Sequence, residues 1–210
     1  MSVKEPTRDP QSAAARAQRP QSRTAARRRA VLEAAMTVFG SRGYRNGSLA
    51  EIAQLAGMTH AGVLHHFGSK ELLLIAMLDY RDLRGVEDYE GHHAPAGQAF
   101  LDHLVATVRE NSGTPGIVQA YAVLAGESLS EDHPAGPFFR ERLAGLRAMV
   151  AEALVLATGA PPSPEVDRVA AAIVAVMDGL QVQWFLAPES IDMPETVRLT
   201  IEALCDTLRD

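Results

Sequence analysis

Residues 48–67 read SLAEIAQLAGMTHAGVLHHF, and the apolar spacing in this stretch decides the fold. Leu49, Ile52, Ala53 and Ala56 recur at i, i+3, i+4 and i+7, which is one face of an α-helix. Ser48 precedes the first of them and Glu51 follows three residues later, the pattern of a capping box. Gly57 stops the helix, and only glycine enters the left-handed region there without a Cβ clash. Thr59 caps a second helix almost at once, with Met58 and Val63 spaced as a hydrophobic staple and an end near Phe67. Two short helices joined by a tight glycine turn predict a helix-turn-helix.

The first of these helices is mostly apolar. The second exposes Thr59, His60, Ala61, Gly62 and His65. Small residues at 61 and 62 let a helix approach a double helix closely, and Thr and His offer polar contacts to base edges. Ser48, Thr59 and Lys70 each stand at a helix start, where free N–H groups attract phosphate. Arg27, Arg28 and Arg29 fall in the first turns of the preceding helix. There they oppose the helix dipole by about 0.3–1 kcal/mol each, which makes sense beside an external polyanion.

Upstream, Leu32, Ala35, Met36 and Phe39 mark another helix face, starting near Thr24 and ending at Gly43. Residues 1–22 carry Pro6, Pro10 and Pro20, scattered Arg, and no large apolar residue after Val3, so they are expected to form a disordered basic arm. Such an arm could enter a minor groove. Downstream, Gly68 and Ser69 restart a longer helix bearing Leu73, Ala76, Met77 and Tyr80. Further helices follow at about 96–111, 115–129, 134–158, 164–187 and 194–208, with Gly/Pro/Ser-rich breaks between them. The expected organisation is 1–22 arm, 23–68 DNA-binding domain, 69–84 connecting helix and 85–210 C-terminal domain, about nine helices in all.

Composition agrees. Of 210 residues, 47% are apolar but only 5% aromatic, and Ala dominates the apolar set, which favours helix over sheet. The predicted class is all-α. The longest apolar run, Val169 to Met177, ends at Asp178, well short of the ~20 residues that span a bilayer. The N-terminus lacks the apolar core of a secretory signal, and Cys205 is the only cysteine, so a reducing cytoplasm fits. Cys205 itself suits a small core or interface position. Residues 1–78 hold 11 Lys/Arg against 5 Asp/Glu, whereas 79–210 hold 9 against 21. Only the N-terminal part is therefore suited to meet a polyanion.

The stretch RRRAVLEAAMTVFGSRGYRNGSLAEIAQLAGMTHAGVLHHFGSKELLLIAML, residues 27–78, resembles the DNA-binding region of the TetR/AcrR family of bacterial transcription regulators. Gly43-Tyr44, Ser48, Ile52-Ala53, Ala56-Gly57, His66-Phe67 and Ser69-Lys70 fall in family register. The resemblance implies phosphate contacts by Tyr44, Ser48, Thr59, His65 and Lys70, base contacts by His60, Ala61 and Gly62, and structural roles for Val63, His66 and Phe67. It implies a homodimer on a palindromic double-stranded operator, paired through 164–187 and 194–208, and a C-terminal domain that binds a small-molecule effector. Most members are repressors released by ligand. Leu64 stands where many members carry a phosphate-binding Tyr, and His65 where they carry a second aromatic.

Polar and aromatic residues on otherwise apolar helices are the candidates for an effector pocket: His103, Gln119, Tyr121, Glu127, Phe138, Gln181, Trp184 and Phe185. With Glu127 in the pocket a cationic or hydrogen-bonding ligand is favoured; otherwise a mostly apolar one. Ala172, Ala175 and Gly179 recur at helical spacing and permit close approach in a dimer bundle. His92, His93 and His103 lack metal-ligand spacing, so no metal or other cofactor is expected. Asp82 with Glu87, and Glu131-Asp132, suit solvated faces. No Walker loop, HExxH, nucleophile elbow or dinucleotide loop points to an enzyme. The rival expectation is a DNA-binding regulator without a small-molecule effector, governed by a protein partner or by its own level.

Overall fold

The computed structural model describes the backbone over 10–84 and 95–209, with side chains over 23–82 and 95–209. Among these residues the chain forms nine α-helices: α1 (Pro10–Asn46), α2 (Leu49–Leu55), α3 (His60–Phe67), α4 (Lys70–Arg84), α5 (Gln98–Ser112), α6 (Pro115–Glu127), α7 (Gly136–Thr158), α8 (Pro164–Leu186) and α9 (Met193–Asp206).

α1 begins at Pro10, ahead of the Thr24 start expected. Residues 10–22 therefore continue the helix where the sequence reading placed a disordered arm. Proline is suited to a first helical position, and the Ala, Arg and Gln that follow are strong helix formers. Residues 1–9 lie outside the described residues. At the other end α1 breaks at Gly43, whose φ of 73° and ψ of 172° are non-helical, and a short turn carries Tyr44 and Arg45 onward.

Ser48 caps α2 by accepting the Ala50 N–H at 3.1 Å. The reciprocal half of the expected capping box does not form. Glu51 instead pairs with Arg42 of α1 at 2.9 Å, because packing brings a cation within its reach. Gly57 adopts φ 62° between α2 and α3, as the tight turn requires.

Two apolar cores result. The first gathers Val31, Phe39, Ile52, Val63, Leu73 and Met77 from α1 to α4, and takes Tyr121 and Leu124 from α6 and Phe139 from α7. The second unites α5, α7, α8 and α9 around Leu101, Leu154, Ile173, Met193 and Ile201. α6 thus lies in sequence with the C-terminal half and packs extensively on α1. Each fully buried large side chain contributes about 1.5–3 kcal/mol. α8 is long and apolar enough to cross a bilayer by length and composition, which its longest apolar run alone had not suggested. It packs against α6, α7 and α9.

Candidate nucleic-acid interface and effector cavity

α3 presents His60, Ala61 and His65 outward, while Val63 and Phe67 anchor it in the first core. Its N-terminus is held by Thr59, whose Oγ1 accepts the Gly62 N–H at 3.1 Å. A hydroxyl that accepts in this way keeps its own proton to donate outward. The same holds for Ser48 at the head of α2. Thr59, His60 and Ala61 are thus exposed at the start of α3, with His65 exposed one turn further on and Gly62 half-buried.

Lys70 joins this surface from the head of α4. Its Nζ donates to the Arg45 carbonyl at 3.2 Å and lies 4.6 Å from the centre of the Tyr44 ring. Partial burial lowers its pKa from the ordinary lysine value. Burial also raises the Tyr44 phenol, with the Glu71 charge acting in the same direction. The arginines diverge. Arg27 is exposed. Arg28 turns back onto α3, its guanidinium 4.5 Å from the Phe67 ring centre and at 3.5 Å from the His66 carbonyl. Arg29 pairs with Glu33 on its own helix.

The pocket candidates do not converge on one cavity. A cavity of about 360 Å³ opens between α6, α7 and α8, and of those candidates only Tyr121 lines it. Its wall also includes Ala125, Leu129, Phe139, Arg140 and Asp178. His103 faces Thr107 on α5, with Nε2 and Oγ1 3.3 Å apart. Phe138 packs against the first core and Trp184 against the second. Gln119 is half-buried on α6 and Phe185 is exposed on α8. Gln181 is buried and reaches Asp178 Oδ1 at 3.4 Å, leaving its own Oε1 without a hydrogen-bond partner. His92 and His93 lie outside the described residues, and no cluster of metal ligands occurs among the described ones.

Glu127 is elsewhere. Its Oε2 accepts the Tyr44 backbone N–H at 2.6 Å, at the joint between α6 and the end of α1.

Behind the cavity lies a charged cluster that sequence reading missed. Arg142 of α7 donates through Nε to both carboxylate oxygens of Asp82, at 2.8 and 3.0 Å, and through Nη1 to the Tyr121 hydroxyl at 3.0 Å. Arg81 of α4 also lies over Tyr121, 4.0 Å from its ring centre, and pairs with Asp82 at 3.2 Å. Asp82 is thus half-buried and ion-paired rather than simply solvated, and Glu87 lies outside the described residues. Burial raises the Asp178 carboxyl above its usual range, and Arg142 and Arg81 pull it back. The one sequence signal was Asp178 itself, a charge interrupting the most apolar run of the chain. The arginines that meet it come from helices distant in sequence, a pairing that periodicity does not encode.

The described helices and the helix-turn-helix geometry match known proteins. Residues 31–77 match the family of bacterial regulatory proteins, tetR family, and residues 98–210 match the BetI-type transcriptional repressor C-terminal family. The chain belongs to the TetR family. It is a DNA-binding transcriptional repressor and not an enzyme. It is 28% identical over 186 residues to the HTH-type transcriptional regulator BetI of Rhizobium meliloti, covering 83% of this chain and 85% of that protein. It is also 28% identical over 196 residues to the regulator TtgR of Pseudomonas putida, covering 85% and 90%. Among solved TetR-like folds, SmeT, the repressor of the Stenotrophomonas maltophilia multidrug efflux pump SmeDEF, superposes with a TM-score of 0.63 at 19% identity, covering 86% of this chain and 89% of SmeT.

Proposed function

We propose that this repressor acts in the cytoplasm as a homodimer on a palindromic operator and is released by a small, mostly apolar effector. The observation that carries the DNA-binding geometry is the exposed edge of α3, with His60, Ala61 and His65 outward and Thr59 and Lys70 beside it. Phosphate contacts from Tyr44, Ser48, Thr59, His65 and Lys70 set the register, and His60, Ala61 and Gly62 read bases. Arg27 remains free to reach the backbone, whereas Arg28 serves first to hold α3. The functional units are the helix-turn-helix over 23–68, the connecting helix over 69–84 and the C-terminal domain over 85–210.

The dimer reading rests on α8 and α9. Ala175, Gly179, Val182 and Leu186 follow one another at helical spacing and are all exposed, and Phe185 of α8 and Leu199 of α9 are exposed as well. A second copy covering 164–187 and 194–208 removes this apolar face from water. Lipid is a poor substitute, since α8 carries Asp178 mid-helix and Glu165, Asp167 and Arg168 at its start.

The effector reading rests on the cavity, whose volume falls within the range of small-molecule pockets. Glu127 is engaged at the α1 joint, so the wall offers Asp178 as its carboxylate against Ala125, Leu129 and Phe139. An apolar body with one hydrogen-bond donor directed at Asp178 suits that wall. The complex of SmeT with triclosan has a related fold, at 18% identity and a TM-score of 0.68. Ligand changes the spacing of the two α3 helices, and a spacing mismatched to the ~34 Å groove repeat loses affinity.

Selection of the purified protein on random duplex DNA tests the reading. An enriched inverted repeat is expected, and it supplies the probe for ligands that release the protein. Binding without enrichment that collapses at moderate salt would overturn sequence-specific recognition.

A further inference from the structure

Glu127 is the last residue of α6, and its carboxylate reaches across to the end of α1. The bond to the Tyr44 N–H is short at 2.6 Å and charge-assisted, the strong kind. A Cβ on residue 43 would overlap this carboxylate, so the approach depends on Gly43 as much as on Glu127. His133 adds a second side to the same carboxylate, with Nε2 3.6 Å from Oε2 and its ring edge-on to Tyr44 at 5.3 Å.

The turn held in this way carries DNA-facing groups. Tyr44 takes the Lys70 ammonium over its ring, and the neighbouring Arg45 carbonyl accepts from Lys70. On the opposite side, Glu127 sits between wall residues of the cavity: Ala125 precedes it, Ser128 and Leu129 follow it, and Gly136 closes the segment. One short stretch of chain is therefore both cavity wall and clamp on the Tyr44–Lys70 corner.

We infer that Glu127 is a positioning residue for DNA binding, carrying the state of the cavity to the Tyr44–Lys70 corner. The part concerning the cavity rests on the effector reading above. Filling the cavity displaces the end of α6. A displacement of about 1 Å takes a 2.6 Å bond beyond hydrogen-bonding distance and leaves the Tyr44 N–H without its acceptor. The corner then loses its register, and the phosphate contacts it orders are weakened. The route runs from α6 to α1 and is separate from the Asp82–Arg142 link between α4 and α7.

The test uses the full-length protein, a selected inverted-repeat duplex and a scrambled duplex. Glu127→Ala is expected to speed amide exchange at Tyr44 and to weaken binding to the selected duplex about ten-fold. Glu127→Gln keeps an acceptor oxygen and is expected to restore most of both. A folded Glu127→Ala protein that binds like wild type overturns the inference. So does equal loss in both variants with the Tyr44 amide still protected. Ala125→Phe, which fills the cavity without any ligand, separates the two readings. Weakened operator binding with fast Tyr44 exchange supports the coupling. Weakened binding with Tyr44 still protected overturns the Glu127 route and leaves the effector reading standing. Unchanged binding by Ala125→Phe, with loss in Glu127→Ala, overturns the coupling of the cavity to Glu127 and leaves Glu127 as a positioning residue alone.

Discussion

At Lys70 one ammonium holds a local joint of the fold and is proposed to meet phosphate as well. It ties the start of α4 to the Arg45 carbonyl and remains partly exposed beside Tyr44. Lys70→Ala should weaken binding across all duplex sequences, and the slope of log affinity against log salt should fall by about one. An unchanged slope would remove Lys70 from the phosphate contacts. His133 makes a different prediction. It is 5% exposed, and its Nδ1 accepts the Ala135 N–H at 3.3 Å, which assigns the neutral proton to Nε2, on the Glu127 side. Burial lowers its pKa, with Arg45 acting the same way and Glu127 opposing. The unfolded chain therefore takes up this proton first as pH falls. The stability involved is intact above the unfolded value of about 6.5 and is lost as pH drops through the folded one. Thermal midpoints measured across this window should decline in the wild type and decline less in His133→Gln.

At the scale of the element, the end of α1 is the place where local chemistry and tertiary packing meet. Gly43 has φ 73°, and its Cα faces the Glu127 carboxylate. Gly43→Ala imposes both backbone strain and a steric clash, so a loss of about 1–3 kcal/mol is expected in denaturant unfolding. A loss under 0.5 kcal/mol would mean that the turn rearranges freely. The glycine was legible in the sequence as a helix stop. Its partner was not, because Glu127 is far away in the chain and reads as an isolated polar residue on an apolar helix. Glu51 misled for a related reason. Its spacing from Ser48 satisfies a local capping rule, yet Arg42 from the neighbouring helix offers a cation at 2.9 Å. An exposed ion pair of this kind contributes no more than about 1 kcal/mol, enough to redirect a carboxylate but not to decide a fold.

For the whole molecule the decisive surface is the uncovered side of α8 and α9. Val182 is 48% exposed and Leu186 79%, in a helix whose other side is core. Val182→Glu combined with Leu186→Glu should yield a folded monomer in sedimentation. Its affinity for a two-half-site duplex should fall by about 100-fold or more, since the second half-site is no longer held by linkage. A double variant that remains dimeric would move the interface elsewhere. Cys205 is buried at 3% exposure, and burial raises its thiol pKa, so it packs as a small apolar group in the second core.

The sequence by itself determined the all-α class, the helix order and the helix-turn-helix, because these follow from apolar periodicity and from caps and glycines acting within a few residues. It also assigned the outward residues of α3, since a short helix with Val63 and Phe67 as anchors has one remaining face. Tertiary structure alone decided which polar groups meet. Tyr121, Arg81, Asp82, Arg142 and Asp178 come together from α4, α6, α7 and α8, and Glu127 finds Tyr44 rather than a ligand cavity. The physical reason is range. Helix periodicity is set by neighbours three and four residues away, whereas a buried charge is governed by whatever partner the packing of distant helices delivers to it.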